Sequence, residues 1–270
     1  MILGRMKKVP ALVAFSVLLL CPRMPAQANG AFPDSMGILL PVDRPNWIIA
    51  TTNFGLLVSE DAGATWGWVC EQAIGLNTFL YQQGAPPNDL VLGVSLNGVT
   101  HSGDFGCAWN RSGGEISTYI VYDVSPHVVA PLRAYALARH DTSQTVTAHQ
   151  SQDGARTFGP AFLSSSENQF FTGIENARSR PETLYVTISL EVPVRPYVAR
   201  SYDSGATWQP LFDPGPDFNR WRIDLLGVDP VNERKVYLRM MNLATVKLSA
   251  STTTIRREGT GRCGSSWNLG

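Results

Sequence analysis

Ser201-Tyr-Asp-Ser-Gly-Ala-Thr-Trp208 has three counterparts upstream in the same chain: Ser59-Glu-Asp-Ala-Gly-Ala-Thr-Trp66, Ser102-Gly-Asp-Phe-Gly-Cys-Ala-Trp109 and Ser151-Gln-Asp-Gly-Ala-Arg-Thr-Phe158. The shared pattern is S-x-D-x-G-x-T-W. Asp61, Asp104, Asp153 and Asp203 stand 43, 49 and 50 residues apart. One such octapeptide carries little information. Four in register make an internal repeat, and a period of this length marks a solenoid, a propeller or an array.

The similarity extends upstream of each octapeptide. A Pro-containing turn leads into a β-rich run, a short break, and a second strand that enters the motif. In the first unit Pro45 precedes Trp47 to Thr52, then Gly55, then Leu56 to Val58. In the second, Pro86 and Pro87 precede Leu90 to Val94, then Asn97-Gly98, a two-residue hairpin signal. Pro126 precedes Arg133 to Ala138 in the third unit, and Pro181 precedes Thr183 to Ile188 in the fourth. A fifth unit starts at Val228-Asp229-Pro230 and continues through Lys235 to Arg239 and Ala244 to Leu248, but no octapeptide follows it. The basic, unpatterned stretch 251–270 stands in its place, as a truncated or frame-shifted end would.

The motif has the chemistry of a tight turn between antiparallel strands. A carboxylate two residues after Ser can accept backbone N–H bonds within its own turn. Gly supplies a positive φ without steric penalty. Ser and Thr hydroxyls bond to the same loop, and the terminal Trp or Phe offers a large apolar face for burial. The third copy departs from the pattern, with Gly154 one position early and Phe158 in place of Trp, so a distorted turn is expected there.

These residues resemble the Asp-box, or bacterial neuraminidase repeat (BNR), superfamily, which includes sialidases, xyloglucanase-type glycoside hydrolases, sortilin-type receptors and photosystem II assembly-factor-like proteins. The resemblance runs from about residue 36 to 248. It implies an all-β fold, a β-propeller of four-stranded antiparallel blades with one box per blade between the last two strands. It also implies that the boxes are structural and lie on the rim, away from the ligand-binding centre. The structural set is then Ser59, Asp61, Gly63, Trp66, Ser102, Asp104, Gly106, Trp109, Ser151, Asp153, Phe158, Ser201, Asp203, Gly205 and Trp208. About five blades fit the chain, as a five-bladed ring or as part of a six- or seven-bladed one. The segment 29–40 is a candidate for the strand that closes the ring against the last blade.

The N-terminus is a separate matter. Arg5, Lys7 and Lys8 precede an apolar run from Val9 to Leu20, and Ala26-Gln27-Ala28 is a small-x-small cleavage site. Residues 1–28 therefore read as a secretory signal peptide, too short in its apolar part to span a bilayer comfortably. Lipid attachment at Cys21 is disfavoured by the bulky Leu20 before it. The expected domains are the signal peptide at 1–28, the propeller at 29–250 and an aberrant tail at 251–270, in a secreted or periplasmic protein with no integral membrane segment after cleavage. Cleavage removes four basic residues and leaves 18 basic against 22 acidic ones. That balance attracts neither nucleic acid nor an anionic membrane. Export permits disulfides. Cys21 leaves with the leader and Cys263 lies in the tail, so Cys70 and Cys107 are the candidate pair, with two buried thiols as the alternative.

No catalytic set stands out. A sialidase-like site, by resemblance, needs an arginine triad whose first member sits in a Phe/Tyr-Arg-Ile-Pro motif. The region 29–58 holds only Arg44, in the turn Asp43-Arg44-Pro45-Asn46. Other glycosidases need two carboxylates facing one bond. Glu71, Asp89, Glu115, Asp123, Glu175, Glu191, Asp213, Asp217, Asp224 and Glu233 are available, and no spacing selects a pair. The loop Phe212 to Trp221, with Asp213, Asp217, Arg220 and Trp221, could line a sugar-binding face or serve as a rigid connection. His101, His127, His140 and His149 lack metal-ligand spacing, so no metal site and no cofactor is expected. The sequence leans away from an enzyme, towards a non-catalytic module that binds a protein or glycan ligand or acts as a scaffold. A glycoside hydrolase of the sialidase-like clan is the alternative.

Overall fold

A computed structural model of the chain describes residues 34–75, 77–87, 89–143, 145–166, 169–191, 194–218, 221–242 and 252–254. The expected signal peptide at 1–28 and most of the tail at 251–270 lie outside these residues.

The first sheet comprises β1 (Ser35–Leu39), β2 (Ile48–Thr52), β3 (Gly55–Ser59) and β4 (Gly67–Cys70), paired in that order. A short helix, α1 (Glu71–Ile74), leads to the second sheet: β5 (Thr78–Gln83), β6 (Val91–Ser95), β7 (Gly98–Ser102) and β8 (Asn110–Arg111). After β9 (Gly113–Gly114), the third sheet is built from β10 (Ile120–Pro126), β11 (Ala134–Arg139), β12 (Thr147–Ser151) and, past β13 (Thr157–Phe158), β14 (Ala161–Ser164). The fourth has β15 (Gln169–Asn176), β16 (Leu184–Glu191), β17 (Val194–Ser201) and β18 (Gln209–Phe212). A 3₁₀ turn at Pro216–Phe218 precedes a three-stranded fifth sheet of β19 (Trp221–Val228), β20 (Val236–Asn242) and β21 (Thr252–Thr254). All pairings within these sheets are antiparallel.

Two expectations change. The segment around Gly37 pairs with β2 as the first strand of its own sheet, because the short 40–47 connection closes it into a hairpin; it does not join the last sheet. Thr252–Thr254, beyond the expected boundary at 250, forms β21 on β20. Ala244 to Leu248, read as a strand of the fifth unit, lie outside the described residues.

The core sits between consecutive sheets. Leu92 and Val94 meet Val124, Ala136 and Ala138 in one layer, while Tyr135 and Leu137 on the opposite face of β11 meet Ile174, Leu184 and Val186. Tyr185 turns the other way, towards Ile223, Val236 and Leu238. Ile49 and Leu56 pack on Ile74, Tyr81 and Val91. The second strands of the middle three sheets, β6, β11 and β16, are thus buried on both faces, which is why they read as apolar runs, whereas β2 and β20 alternate between more and less buried positions. Every fully buried Leu or Ile here stabilises the stack by about 1.5–3 kcal/mol.

The first strand of each sheet carries a register shift against the second: at Ser35/Gly37, Thr78/Leu80, Val121/Asp123, Phe171/Gly173 and Leu225/Gly227. Such bulges bend a strand and raise its twist. The first strands neighbour one another in sequence order, β1 on β5, β5 on β10, β10 on β15 and β15 on β19. The loops after them share a form as well. His127 N–H donates to Arg133 O, Ala177 N–H to Thr183 O and Asp229 N–H to Lys235 O.

Candidate functional site

The four octapeptides fold into one hydrogen-bonded turn, between the third and fourth strands of the first four sheets. Ser59 Oγ donates to Asp61 Oδ1 at 2.8 Å and accepts from Gly63 N–H at 2.8 Å. Asp61 Oδ1 accepts from Thr65 N–H at 2.8 Å, and Oδ2 from Thr65 Oγ1 at 2.6 Å. Ser201, Asp203, Gly205 and Thr207 repeat the set. Ser102, Asp104 and Gly106 do so too, with Ala108 contributing only its N–H. The Thr65 hydroxyl, with its N–H, holds the Asp61 carboxyl down at about 2, and Thr207 does the same for Asp203. Burial pushes the Asp104 and Asp153 carboxyls up, but the hydrogen bonds of their turns outweigh it and hold both below their ordinary value.

The third copy is not distorted. Ser151 Oγ donates to Asp153 Oδ1 at 2.8 Å, and Thr157 donates to Asp153 from both N and Oγ1. The turn needs two consecutive residues at positive φ: Ala62 and Gly63, Phe105 and Gly106, Gly154 and Ala155, Ser204 and Gly205. Glycine at either position serves, so its early placement changes nothing. The terminal aromatic residues differ more than expected. Phe158 is buried, whereas Trp66 is 48% exposed and caps its turn by donating Nε1–H to Gly63 O. Trp109 and Trp208 make the same bond to Gly106 and Gly205.

The other candidates are dispersed. Cys70 ends β4 and Cys107 is exposed in the second octapeptide turn; both are free thiols, and the bridge between them is not formed. In the 212–221 loop Asp213 Oδ1 accepts from Gly215 N–H, Asp217 is exposed, and the Phe218 and Trp221 rings, 5.4 Å apart and inclined at 60°, pack against the core of the fifth sheet. Arg220 lies outside the described residues. Arg44 does more than make a turn: its Nη2 donates to both Asp89 oxygens, at 2.8 and 2.7 Å, with its guanidinium over the Phe105 and Trp47 rings. No group of three or more His, Cys, Asp or Glu side chains suited to a metal occurs among the described residues.

Two features emerge that sequence spacing did not show. The first is a seam of carboxyls on the first strands. Asp123 on β10 accepts from Ile174 N–H of β15 at 2.8 Å and from Val124 N–H. Glu175 on β15 accepts from Ser125 Oγ of β10 at 3.1 Å. Burial pushes Glu175 up to about 7, and burial together with the Glu175 charge raises Asp123 well above its ordinary value. Asp224 on β19 holds the position of Asp123 one repeat pair later and is paired with Arg222 and Arg239.

The second is a cavity of about 190 Å³ at the mouth of the first strands. Leu40 and Val42 of the first sheet, Pro86 of the second, Val128 of the third and Arg178 of the fourth line it. Arg178 is exposed and makes no ion pair among the described residues. Strand direction places this mouth at the same end of the sheets as the octapeptide turns. Aligning the repeats on their first strands is the signal that would have located both features.

No protein-family model matches the chain, and no curated protein sequence matches it. Similar solved structures include the GH74 xyloglucanase from Xanthomonas campestris, at a TM-score of 0.56 and 12% identity over 76% of this chain and 35% of that one. The GH74 enzyme of Niastella koreensis gives 0.57 and 18% over 77% and 34%. The extracellular domain of BT4673 from B. thetaiotaomicron gives 0.51 and 12% over 80% and 26%. The chain has the β-propeller fold, with its sheets as blades. It spans about a third of the length of the GH74 chains it matches. No helix among the described residues is long and apolar enough to cross a membrane.

Proposed function

We propose that this chain is an exported, non-catalytic propeller of the Asp-box type whose octapeptides are structural turns and whose mouth binds a protein ligand. The mouth cavity carries the reading: loops from four blades converge there on an apolar wall with one exposed guanidinium that makes no ion pair among the described residues. Apolar walls with a few placed polar groups suit ligand binding. An acidic side chain or a terminal carboxylate flanked by apolar residues matches this chemistry. The test is affinity capture from the periplasmic or secreted fraction with wild type and with the Arg178→Ala/Val42→Asp double variant. A partner lost with the variant supports the reading. Capture that is the same with both proteins sinks it.

Glycoside hydrolysis is the second reading, favoured by the carboxyls of Glu175 and Asp123, since an acid held near 7 suits proton donation. Against it, Asp123 accepts a backbone N–H bond on each oxygen and is committed to the seam. A panel of fluorogenic glycosides decides. Turnover by wild type that Glu175→Gln abolishes would establish the enzyme, and no turnover leaves the binding module.

A further inference from the structure

At the opposite end of the third blade from the mouth, the connection from β9 to β10 and the β11–β12 hairpin enclose a second cavity, of about 240 Å³. Apart from Ala161, each lining residue carries a hydrogen-bonding group on a partly apolar wall, among them Glu115 and Tyr119 from the connection, His140, Ser143 and Thr145 from the hairpin, and His149 from β12. His149 is buried, and both its nitrogens are engaged, one with Thr147 Oγ1 at 2.8 Å and the other with Gly159 O at 2.9 Å. That fixes the ring as a rigid floor. Tyr119 stands edge-on to both imidazoles, at 5.1 Å from His140 and 5.9 Å from His149, and rests on the core between the second and third blades.

Each wall keeps a hydrogen-bonding atom for a guest. Tyr119 Oη donates to Glu115 Oε1 at 3.1 Å, which orients the carboxylate and leaves Oε2 to accept. His140, which lines the cavity, uses Nδ1 towards Thr142 and Asp141, and its Nε2 takes no part in these contacts. A metal ion is a poor match, because both His149 nitrogens are occupied. A strong anion is a poor match as well, because Glu115 faces it. A neutral polyol fits: vicinal hydroxyls donate to a carboxylate and to an imidazole nitrogen, while ring C–H groups rest on aromatic edges. The volume admits one pyranose ring.

We infer that this cavity between Glu115, Tyr119, His140 and His149 is a binding site for a single neutral sugar residue, free or at the end of a glycan. It is separate from the mouth and goes beyond the protein-binding reading made above.

The experiment is titration of ¹⁵N-labelled protein with glucose, galactose, mannose and N-acetylglucosamine, each also as its disaccharide or short oligomer, with glycerol as a control. At least one sugar saturates with a dissociation constant in the millimolar range, and the shifts fall on residues 115–119 and 140–149. Glu115→Gln, an exposed substitution, weakens it roughly tenfold, and Tyr119→Phe, which keeps the ring, weakens it severalfold. Arg178→Ala leaves it unchanged, which separates this site from the mouth. A preference for the free sugar or for the oligomer identifies the source. No saturable shift with any sugar overturns the inference, and so does binding that Glu115→Gln leaves intact.

Discussion

The octapeptide turn concentrates its chemistry in two side chains. Ser201 is 1% exposed and both donates to Asp203 and accepts from Gly205 N–H. Ser201→Ala leaves that N–H unsatisfied and is expected to lower stability by about 1–3 kcal/mol, read as a fall in urea midpoint at constant m. Gly154→Ala tests the two-residue positive-φ requirement. An added Cβ meets nothing closer than Leu132 Cδ2 at 3.6 Å, so any loss comes from backbone strain, about 1–2 kcal/mol. The acids act through pH. Asp61 and Asp203 titrate near 3.8 when unfolded and about 2 when folded. Their stabilisation is full above pH about 4 and is lost as pH falls through about 2. The Asp61→Asn/Asp203→Asn variant flattens the stability profile across that window; an unchanged slope would show that the turns do not hold these carboxylates.

At the scale of the element, second strands and octapeptides were legible in the sequence, and the first strands of the second to fifth sheets were not. Ala134 to Ala138 and Leu184 to Ile188 are buried on both faces, so apolar content alone reveals them. In β5, β10, β15 and β19 the register shift inserts a residue and breaks the two-residue period on which strand reading depends. The acids in the seam were hidden for the same reason. Asp123 and Glu175 belong to one site only because β10 neighbours β15, and no local pattern records that adjacency. Arg178 and the Tyr119 cavity are likewise assembled from different sheets or from distant parts of one. The blade junction can be tested at Gly114, which has φ +81° and pairs in parallel with Phe158 through β9 and β13. A Cβ there would lie 2.2 Å from Phe158 O. Gly114→Ala is expected to cost about 2–4 kcal/mol in denaturant melts, with the third octapeptide turn losing hydrogen-exchange protection first.

Across the whole molecule, the seam between the third and fourth blades sets a second pH limit. Glu175 titrates near 4.5 when unfolded and about 7 when folded. Its neutral form is the one the fold favours, so this contribution is full below pH about 4.5 and is lost as pH rises through about 7. Glu175→Gln removes the slope, and above pH 8 the variant is expected to exceed wild type by about 1–3 kcal/mol. If wild type shows no decline between pH 5 and 8, the seam is not under this strain. The pairing of Gly37 with its own neighbour β2 has a different consequence. Each of the first four blades is a contiguous stretch of chain that borrows no strand from the far terminus. A polypeptide that emerges N-terminus first can complete and dock one blade for every 43 to 50 residues delivered, without waiting for its last segment to arrive.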